Sequence, residues 1–196
     1  HRVHRRQRQM CIRDRRRVYY LTDKVRKTAR GDSKIQKLHV VGAGVMGGDI
    51  AAVAAMSGLD VSLSDVNSSA IESAINRSAN LFARRLKIDE KIAGATERLK
   101  ADPGGDHAAN ADLVIEAVAE KLSVKQAVFA DLEKIIKPGA ILATNTSAIP
   151  LEDIATALND PSRLIGLHFF NPVPVLPLVE VIWSPHSNQD LSLIHI

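Results

Sequence analysis

Two titratable residues, His168 and Glu180, lie in apolar surroundings on two consecutive predicted strands. Burying either side chain alone is unfavourable, whereas an imidazole and a carboxylate that pair compensate each other. We therefore expect both to be buried as a pair. A carboxylate on one ring nitrogen fixes the tautomer and raises the basicity of the other nitrogen. Such a pair can take the proton of an alcohol. A lone histidine in a strand is more often a core residue, and Glu180 favours the catalytic interpretation.

Residues 40–51 predict a buried strand, a glycine turn and a helix. Three glycines in this stretch follow the G-x-G-x-x-G spacing of dinucleotide-binding folds. Gly42 permits the tight turn, Gly44 lets the backbone approach a pyrophosphate, and Gly47 lets the helix pack closely on the strand. The N–H groups at the start of the helix then face the phosphates.

Asp65 follows the second predicted strand, about 20 residues beyond the glycines, where the ribose hydroxyls of a bound dinucleotide are expected. A carboxylate at this place accepts a hydrogen bond from the 2′-hydroxyl and repels a 2′-phosphate. The sequence therefore predicts NAD rather than NADP as the cofactor.

Two further polar stretches follow predicted strands. Glu116 and Glu120 belong to an apolar run that predicts a central strand, and we expect one of them at the ligand edge. The alternative that a glutamate there only caps the next helix stays open. Ser147 follows another buried strand and binds a ligand or caps a helix; its position in the sequence leaves both alternatives open.

From Leu38 onwards short apolar runs alternate with helical patterns, which predicts a parallel sheet with crossover helices. The expected strands are residues 38–41, 61–64, 113–117, 140–144, 164–169 and 178–181. The expected helices are residues 18–29, 68–87 and 122–137. The predicted fold class is α/β, a doubly wound Rossmann-type, mostly parallel sheet with helices on both faces and ligands at the carboxyl ends of the strands.

The formal net charge of +4 arises from the first 17 residues, which hold eight arginines and one aspartate. The rest of the chain holds 18 basic and 21 acidic residues, so its charge does not indicate a nucleic-acid partner. Residues 1–17 and 191–196 resemble translated sequencing-adapter DNA, and we expect them to be non-native. A nucleic-acid-binding arm and a mitochondrial presequence are the alternatives for the basic head.

Several classes of protein are excluded by simple counts. Cys11 is the one cysteine, which excludes a disulfide framework and a cysteine-based zinc site, and we expect no metal. No apolar run approaches the length of a membrane span. The length of 196 residues suits one well-packed domain and part of another.

Four stretches, in this order, resemble the NAD-binding domain of the L-3-hydroxyacyl-CoA dehydrogenases of fatty-acid β-oxidation: GAGVMGGDIA, VIEAVAEKLSVK, ATNTSAIP and GLHFFNPVPVLPLVEVI. The resemblance runs from about Val18 to about Asp190. It implies oxidation of (S)-3-hydroxyacyl-CoA by NAD to 3-oxoacyl-CoA and NADH. Residues 17–21 resemble the connector after the hydratase domain of multifunctional fatty-oxidation enzymes. We therefore expect a fragment of such an alpha subunit, with a hydratase domain and a thiolase subunit as partners in the full-length protein.

The resemblance also implies roles for individual residues. His168 would be the base in oxidation and the acid in reduction, Glu180 would orient it, and Ser147 would contact the nicotinamide and the 3-oxygen of the substrate. Glu120 is preferred over Glu116 at the cofactor. The full set of implied cofactor contacts is Gly42, Gly44, Met46, Gly47, Asp65, Val118, Ala119, Glu120, Lys125, Ser147 and Asn171.

The expected domain organisation is a connector at residues 18–36 and an NAD-binding domain at residues 37–190, without the helical second domain of the family. Because that domain closes over the acyl-CoA, we expect this chain to bind NAD but to turn over little substrate. A non-catalytic NAD-binding relative and another β-hydroxyacid dehydrogenase are the alternatives, and the His168–Glu180 pair argues against the second. The expected compartment is the bacterial cytoplasm, with mitochondria as the alternative.

Overall fold

The computed structural model describes residues 35–176 and 178–187. The two ends expected to be non-native, and the helix expected over residues 18–29, lie outside the described residues. Within them the strands are β1 Lys37–Val41, β2 Asp60–Ser64, β3 Leu99–Ala101, β4 Leu113–Glu116, β5 Ile141–Thr144, β6 Leu164–Phe169 and β7 Val179–Ile182. The α-helices are α1 Val45–Met56, α2 Ser68–Leu86, α3 Asp89–Arg98, α4 Leu122–Ile135 and α5 Leu151–Ala155. Short 3₁₀ helices span Asp106–Asn110 and Pro161–Arg163.

The strands form a single sheet in the order β3-β2-β1-β4-β5-β6-β7. All neighbouring pairs are parallel except β6 and β7, which are antiparallel. The order reverses between β1 and β4, and in a doubly wound sheet this reversal opens a crevice outside the carboxyl ends of the strands. The predicted fold class is confirmed, and the crevice is the expected place for a ligand.

The strand register brings the predicted site segments to one edge. Val41 pairs with Ser64 on one side and with Glu116 on the other, and Glu116 pairs with Thr144. These four residues end their strands, so the segments that follow them leave the sheet side by side. The glycine turn, the acidic residue after β2 and the two polar stretches therefore meet at the carboxyl edge.

Helix α2 begins and ends close to the predicted limits. The side chain of Asn67 accepts a hydrogen bond from the Ser69 N–H at the start of the helix, which is the usual capping contact of asparagine. The helix ends at Leu86, and the next residue, Lys87, adopts a left-handed conformation with φ of 53°. A cap and a left-handed residue thus delimit the helix, which packs against α1.

Helices α3 and α5 and strand β3 were not expected from the sequence. Helix α5 has only five residues. Helix α3 buries only Ala95, and strand β3 has three residues of which only Leu99 is buried. An element that buries a single residue has too short an apolar pattern to be predicted from the sequence. The core beside α4 and α5 is more regular, and its fully buried members include Phe129, Leu142 and Ile154.

Candidate active site at the carboxyl edge of the sheet

The three glycines of the turn have different surroundings. Gly42 has a φ of +105°, and a Cβ there would lie 2.6 Å from the Ala117 carbonyl oxygen. A Cβ on Gly47 would lie 1.8 Å from the Gly42 carbonyl oxygen. A Cβ on Gly44 would have no heavy atom within 4 Å. The fold therefore requires the first and third glycines, whereas Gly44 leaves open space at the amino terminus of α1, which suits the close approach of a pyrophosphate.

The Asp65 carboxylate is fixed beside this turn. Its Oδ2 accepts a hydrogen bond of 2.7 Å from the Ala43 N–H, and its Oδ1 accepts one of 2.9 Å from the Asn67 N–H. Each carboxylate oxygen can accept more than one hydrogen bond, so the group retains capacity for a ribose hydroxyl. Met46, in the first turn of α1, is half-buried next to the open face.

The two candidate glutamates after β4 occupy different environments. Glu116 is fully buried. Its Oε1 accepts hydrogen bonds from the Val118 N–H at 2.8 Å and from Lys125 Nζ at 2.7 Å, and its Oε2 accepts one of 2.7 Å from Thr144 Oγ1. The side chain of Glu120 is 40% exposed. Of the pair, Glu120 is therefore the one that faces the ligand edge, and Glu116 lies beneath it.

Lys125 connects the two glutamates. Its side chain has no exposed surface, and its Nζ lies 2.7 Å from Glu116 Oε1 and 3.3 Å from Glu120 Oε2. The implied contact of Lys125 with the cofactor stays a prediction. The geometry places its ammonium group between the two carboxylates.

Glu120 holds the segment that follows β5. It accepts hydrogen bonds from Thr146 Oγ1, from the Ser147 N–H at 3.0 Å and from the Ala148 N–H at 3.3 Å. Burial raises the pKa of Glu120, but the hydrogen bonds from Thr146 and Ser147 and the charge of Lys125 outweigh burial and hold it below its ordinary value. The carboxylate is therefore ionised at neutral pH, and its hydrogen bonds present Ser147 as an exposed side chain.

His168 and Glu180 form the expected pair. They face each other in the register of β6 and β7, and His168 Nδ1 lies 2.9 Å from Glu180 Oε2. The expected burial of Glu180 is wrong: its side chain is 55% exposed, against 23% for His168. Among the described residues β7 is an edge strand, so one side of Glu180 has no neighbouring strand to cover it. The pair is therefore open to a substrate rather than enclosed in the core.

A further contact links the histidine strand to the serine segment. The Asn145 side-chain oxygen accepts a hydrogen bond of 3.0 Å from the Phe169 N–H. The ring of Phe170 lies 4.6 Å from that of His168. Asn145 and Thr146 were not singled out in the sequence, although both are polar residues directly after a buried strand and share the signal that indicated Ser147.

The remaining predicted cofactor contacts lie on the same edge segments. Val118 is half-buried, whereas Ala119 and Asn171 are exposed. Residues 35–176 and 178–187 contain no group of three histidine, cysteine or acidic side chains that could hold a metal ion. No helix in these ranges has the length and apolar character needed to cross a bilayer. The edge therefore offers backbone donors, carboxylates and one paired imidazole.

Comparison with known proteins identifies what the chain resembles. Residues 37–193 match the family described as 3-hydroxyacyl-CoA dehydrogenase, NAD binding domain. The chain is 38% identical over 164 residues to a probable 3-hydroxybutyryl-CoA dehydrogenase of Bacillus subtilis, covering 82% of this chain and 57% of that protein. It is 39% identical over 180 residues to a fatty acid oxidation complex subunit alpha of Pseudomonas syringae, covering 87% of this chain and 25% of that subunit.

A solved structure gives the same result. The crystal structure of 3-hydroxybutyryl-CoA dehydrogenase from Escherichia coli superposes with a TM-score of 0.78 at 38% identity, covering 82% of this chain and 35% of that one. The chain thus spans little more than half of the Bacillus subtilis relative and only 25% to 35% of the other two.

Proposed function

Because the chain belongs to the 3-hydroxyacyl-CoA dehydrogenase family and contains the NAD-binding domain of that family, we propose that it takes part in the oxidation of (S)-3-hydroxyacyl-CoA to 3-oxoacyl-CoA. The proposal rests on one observation. The glycine turn and the His168–Glu180 pair lie at the same edge of the sheet. A dinucleotide site and a positioned base are the two parts that alcohol oxidation needs.

The cofactor side of the proposal rests on the glycine turn. The open space at Gly44, the amino terminus of α1 and the Asp65 carboxylate fit the pyrophosphate and ribose of NAD. Bound NAD⁺ supplies the acceptor for the hydrogen and the electron pair that leave C3 of the substrate. Glu120 and the segment with Ser147 lie further along the same edge, where the reacting part of the cofactor and the 3-oxygen would meet.

His168 accounts for the proton. With Nδ1–H donated to the Glu180 carboxylate, the Nε2 lone pair is free to accept the proton of the substrate hydroxyl. The C–H bond breaks with its electron pair, the O–H bond breaks to give the proton to Nε2, and a carbonyl group results. In the reverse direction His168 returns the proton to the 3-oxygen.

We further propose that the chain is part of a larger protein of fatty-acid β-oxidation in the bacterial cytoplasm. The relative from Pseudomonas syringae, whose name places it in a fatty acid oxidation complex, supports this context. A helical second domain, a hydratase domain and a thiolase subunit are the parts we expect in the full-length assembly. The chain alone then binds NAD but is catalytically incomplete.

A single-turnover experiment tests the proposed reaction. The chain, in excess over acetoacetyl-CoA and with NADH present, is expected to form 3-hydroxybutyryl-CoA and NAD⁺ in equal amounts, at a rate well below the ordinary enzyme range of roughly 1 to 1,000 s⁻¹. A His168→Gln variant is expected to form neither product. A rate within the ordinary range would contradict the incomplete site, and a rate that the variant retains would contradict the role of His168. Absence of both products from a folded, NADH-binding chain would show that this chain lacks the activity.

A further inference from the structure

We infer that Glu116, whose side chain is fully buried, is a positioning residue of the cofactor site: it acts through Lys125 on Glu120 and thereby holds the segment that carries Ser147. The inference rests on the proposed function, because that function makes this segment part of the site. It concerns a residue that the sequence left as one of two candidates for direct contact.

The first step in the argument is the buried charge pair. The side chains of Glu116 and Lys125 have no exposed surface, and the Glu116 carboxylate and Lys125 ammonium lie 2.7 Å apart. A buried ammonium without a partner is strongly unfavourable, so the carboxylate determines where the ammonium lies. Glu116 is itself fixed, because the Val118 N–H and Thr144 Oγ1 donate to it. Lys125 therefore has one well-defined position.

The second step runs from Lys125 to the ligand edge. Its Nζ lies 3.3 Å from Glu120 Oε2, while Glu120 Oε1 accepts from Thr146, Ser147 and Ala148. One oxygen of Glu120 thus faces the buried ammonium and the other gathers three donors of the exposed segment. Displacing Lys125 would release one oxygen of Glu120 and allow the carboxylate to rotate away from Ser147.

The third step is that Glu116 directly contacts the two segments that follow β4 and β5. Besides its side-chain contact with Val118, its carbonyl oxygen accepts a hydrogen bond of 2.8 Å from the Asn145 N–H. Asn145 in turn accepts from the Phe169 N–H. The segments that begin at Ala117 and Asn145 are therefore both anchored at Glu116. The carboxylate of Glu116 holds the first segment and its backbone carbonyl holds the second, although the side chain is fully buried.

The charge of Glu116 can be removed with little change of shape. In Glu116→Gln the amide oxygen can still accept from Val118, but Lys125 is left with Glu120 as its one anionic partner. Glu133→Gln, on the helix α4 that also carries Lys125, is the matched control. Glu133 Oε2 accepts from the Asn159 N–H and its Oε1 from the Asp160 N–H, both at 2.8 Å, and it thereby holds a loop that carries none of the predicted site residues.

The experiment measures NADH affinity, amide signals and unfolding of the full 196-residue chain. For Glu116→Gln we expect NADH binding to weaken about tenfold or more. We also expect the Ser147 and Ala148 amide resonances to move in the absence of NADH. For Glu133→Gln we expect wild-type NADH affinity and unchanged signals at these two residues, with a change in denaturant unfolding only.

The outcomes separate this inference from the proposed function. A folded Glu116→Gln variant with wild-type NADH affinity and unmoved amide signals would overturn the inference. A folded wild-type chain that binds no NADH would overturn the proposed function. The Ser147 and Ala148 amide resonances of Glu116→Gln would then be the test of whether Glu116 positions this segment. If Glu116→Gln does not fold, the double variant with Lys125→Met removes both buried charges together, which proteins often tolerate. Wild-type NADH affinity in that variant would also overturn the inference.

Discussion

His168 and Glu180 lie directly opposite each other on the antiparallel strands β6 and β7, with Nδ1 2.9 Å from Oε2. Opposed residues of an antiparallel pair share one face of the sheet, so the register itself brings the two side chains together. An ionised carboxylate is an acceptor only. The contact therefore places the ring proton on Nδ1 and leaves the lone pair on Nε2.

Replacing Glu180 with glutamine should disturb this tautomer. A glutamine can either accept from Nδ1–H or donate to a bare Nδ1, so the selection of one tautomer is lost. In ¹⁵N spectra of the neutral ring we expect the wild type to show Nδ1–H, and Glu180→Gln to show a mixture with Nε2–H. The single-turnover rate should fall at least about tenfold. The His107 ring signals serve as the internal control, and an unchanged His168 tautomer in the variant would contradict the orienting role of Glu180.

Alanine substitutions at the three glycines should separate folding from binding. Gly42→Ala and Gly47→Ala place a methyl group against backbone oxygens at 2.6 and 1.8 Å, so we expect losses of about 2 kcal/mol or more in the free energy of unfolding. Gly44→Ala meets nothing within 4 Å. Its stability should stay within about 1 kcal/mol of wild type, whereas its NADH affinity should fall because the methyl group occupies the approach of the pyrophosphate. Denaturant unfolding and NADH titration check the three variants, and undiminished NADH affinity of Gly44→Ala would contradict the assigned position of the cofactor.

Much of the fold followed from the sequence because the strands are buried apolar runs. Six of the strands described lie within one or two residues of their predicted limits, and the glycine turn and α2 are where they were expected. Strand β3 and helix α3 could not be predicted in this way. Each buries a single residue, and they are held by contacts with β2 and α2.

The sequence indicated which residues lie at the candidate site, but it did not show which of their side chains are buried and which are exposed. The sequence indicated both glutamates after β4, yet only three-dimensional packing shows that Glu116 is enclosed by Lys125 and Thr144 while Glu120 is exposed. The exposure of Glu180 was also missed, because apolar neighbours in a strand do not show that the strand lies at an edge. Lys125 gave no signal of burial, since lysine is almost never buried without a partner.

A buried histidine outside the candidate site, His39, predicts a pH dependence of stability. His39 is fully buried, with Nδ1 2.7 Å from Ser62 Oγ and Nε2 2.9 Å from Ser64 Oγ. Burial lowers its pKa from 6.5 to about 4, although the nearby Asp102 charge opposes this shift. The unfolded chain therefore binds a proton that the folded chain does not between these pH values. Stability is fully present above about pH 6.5 and is lost as the pH falls towards 4, by about 3 kcal/mol.

Denaturant unfolding at several pH values checks this effect. The wild type should lose stability from pH 6.5 downwards, and His39→Gln should lose about 3 kcal/mol less over the same interval. Carboxylates with lowered pKa values, such as Glu133 and Asp112, lose their contribution at more acidic pH in both proteins. Equal pH dependence of wild type and variant would show that His39 is not the group responsible.

The central claim is that this chain forms an NAD site at the carboxyl edge of its sheet, and a fluorescence titration of the full chain with NADH tests it most directly. NADPH and an Asp65→Asn variant, which keeps an acceptor for the Ala43 N–H, are measured alongside. We expect saturable NADH binding, much weaker NADPH binding, and a smaller difference between the two in the variant because the charge that repels a 2′-phosphate is gone. A folded chain that binds neither nucleotide, or binds both equally, would contradict the account.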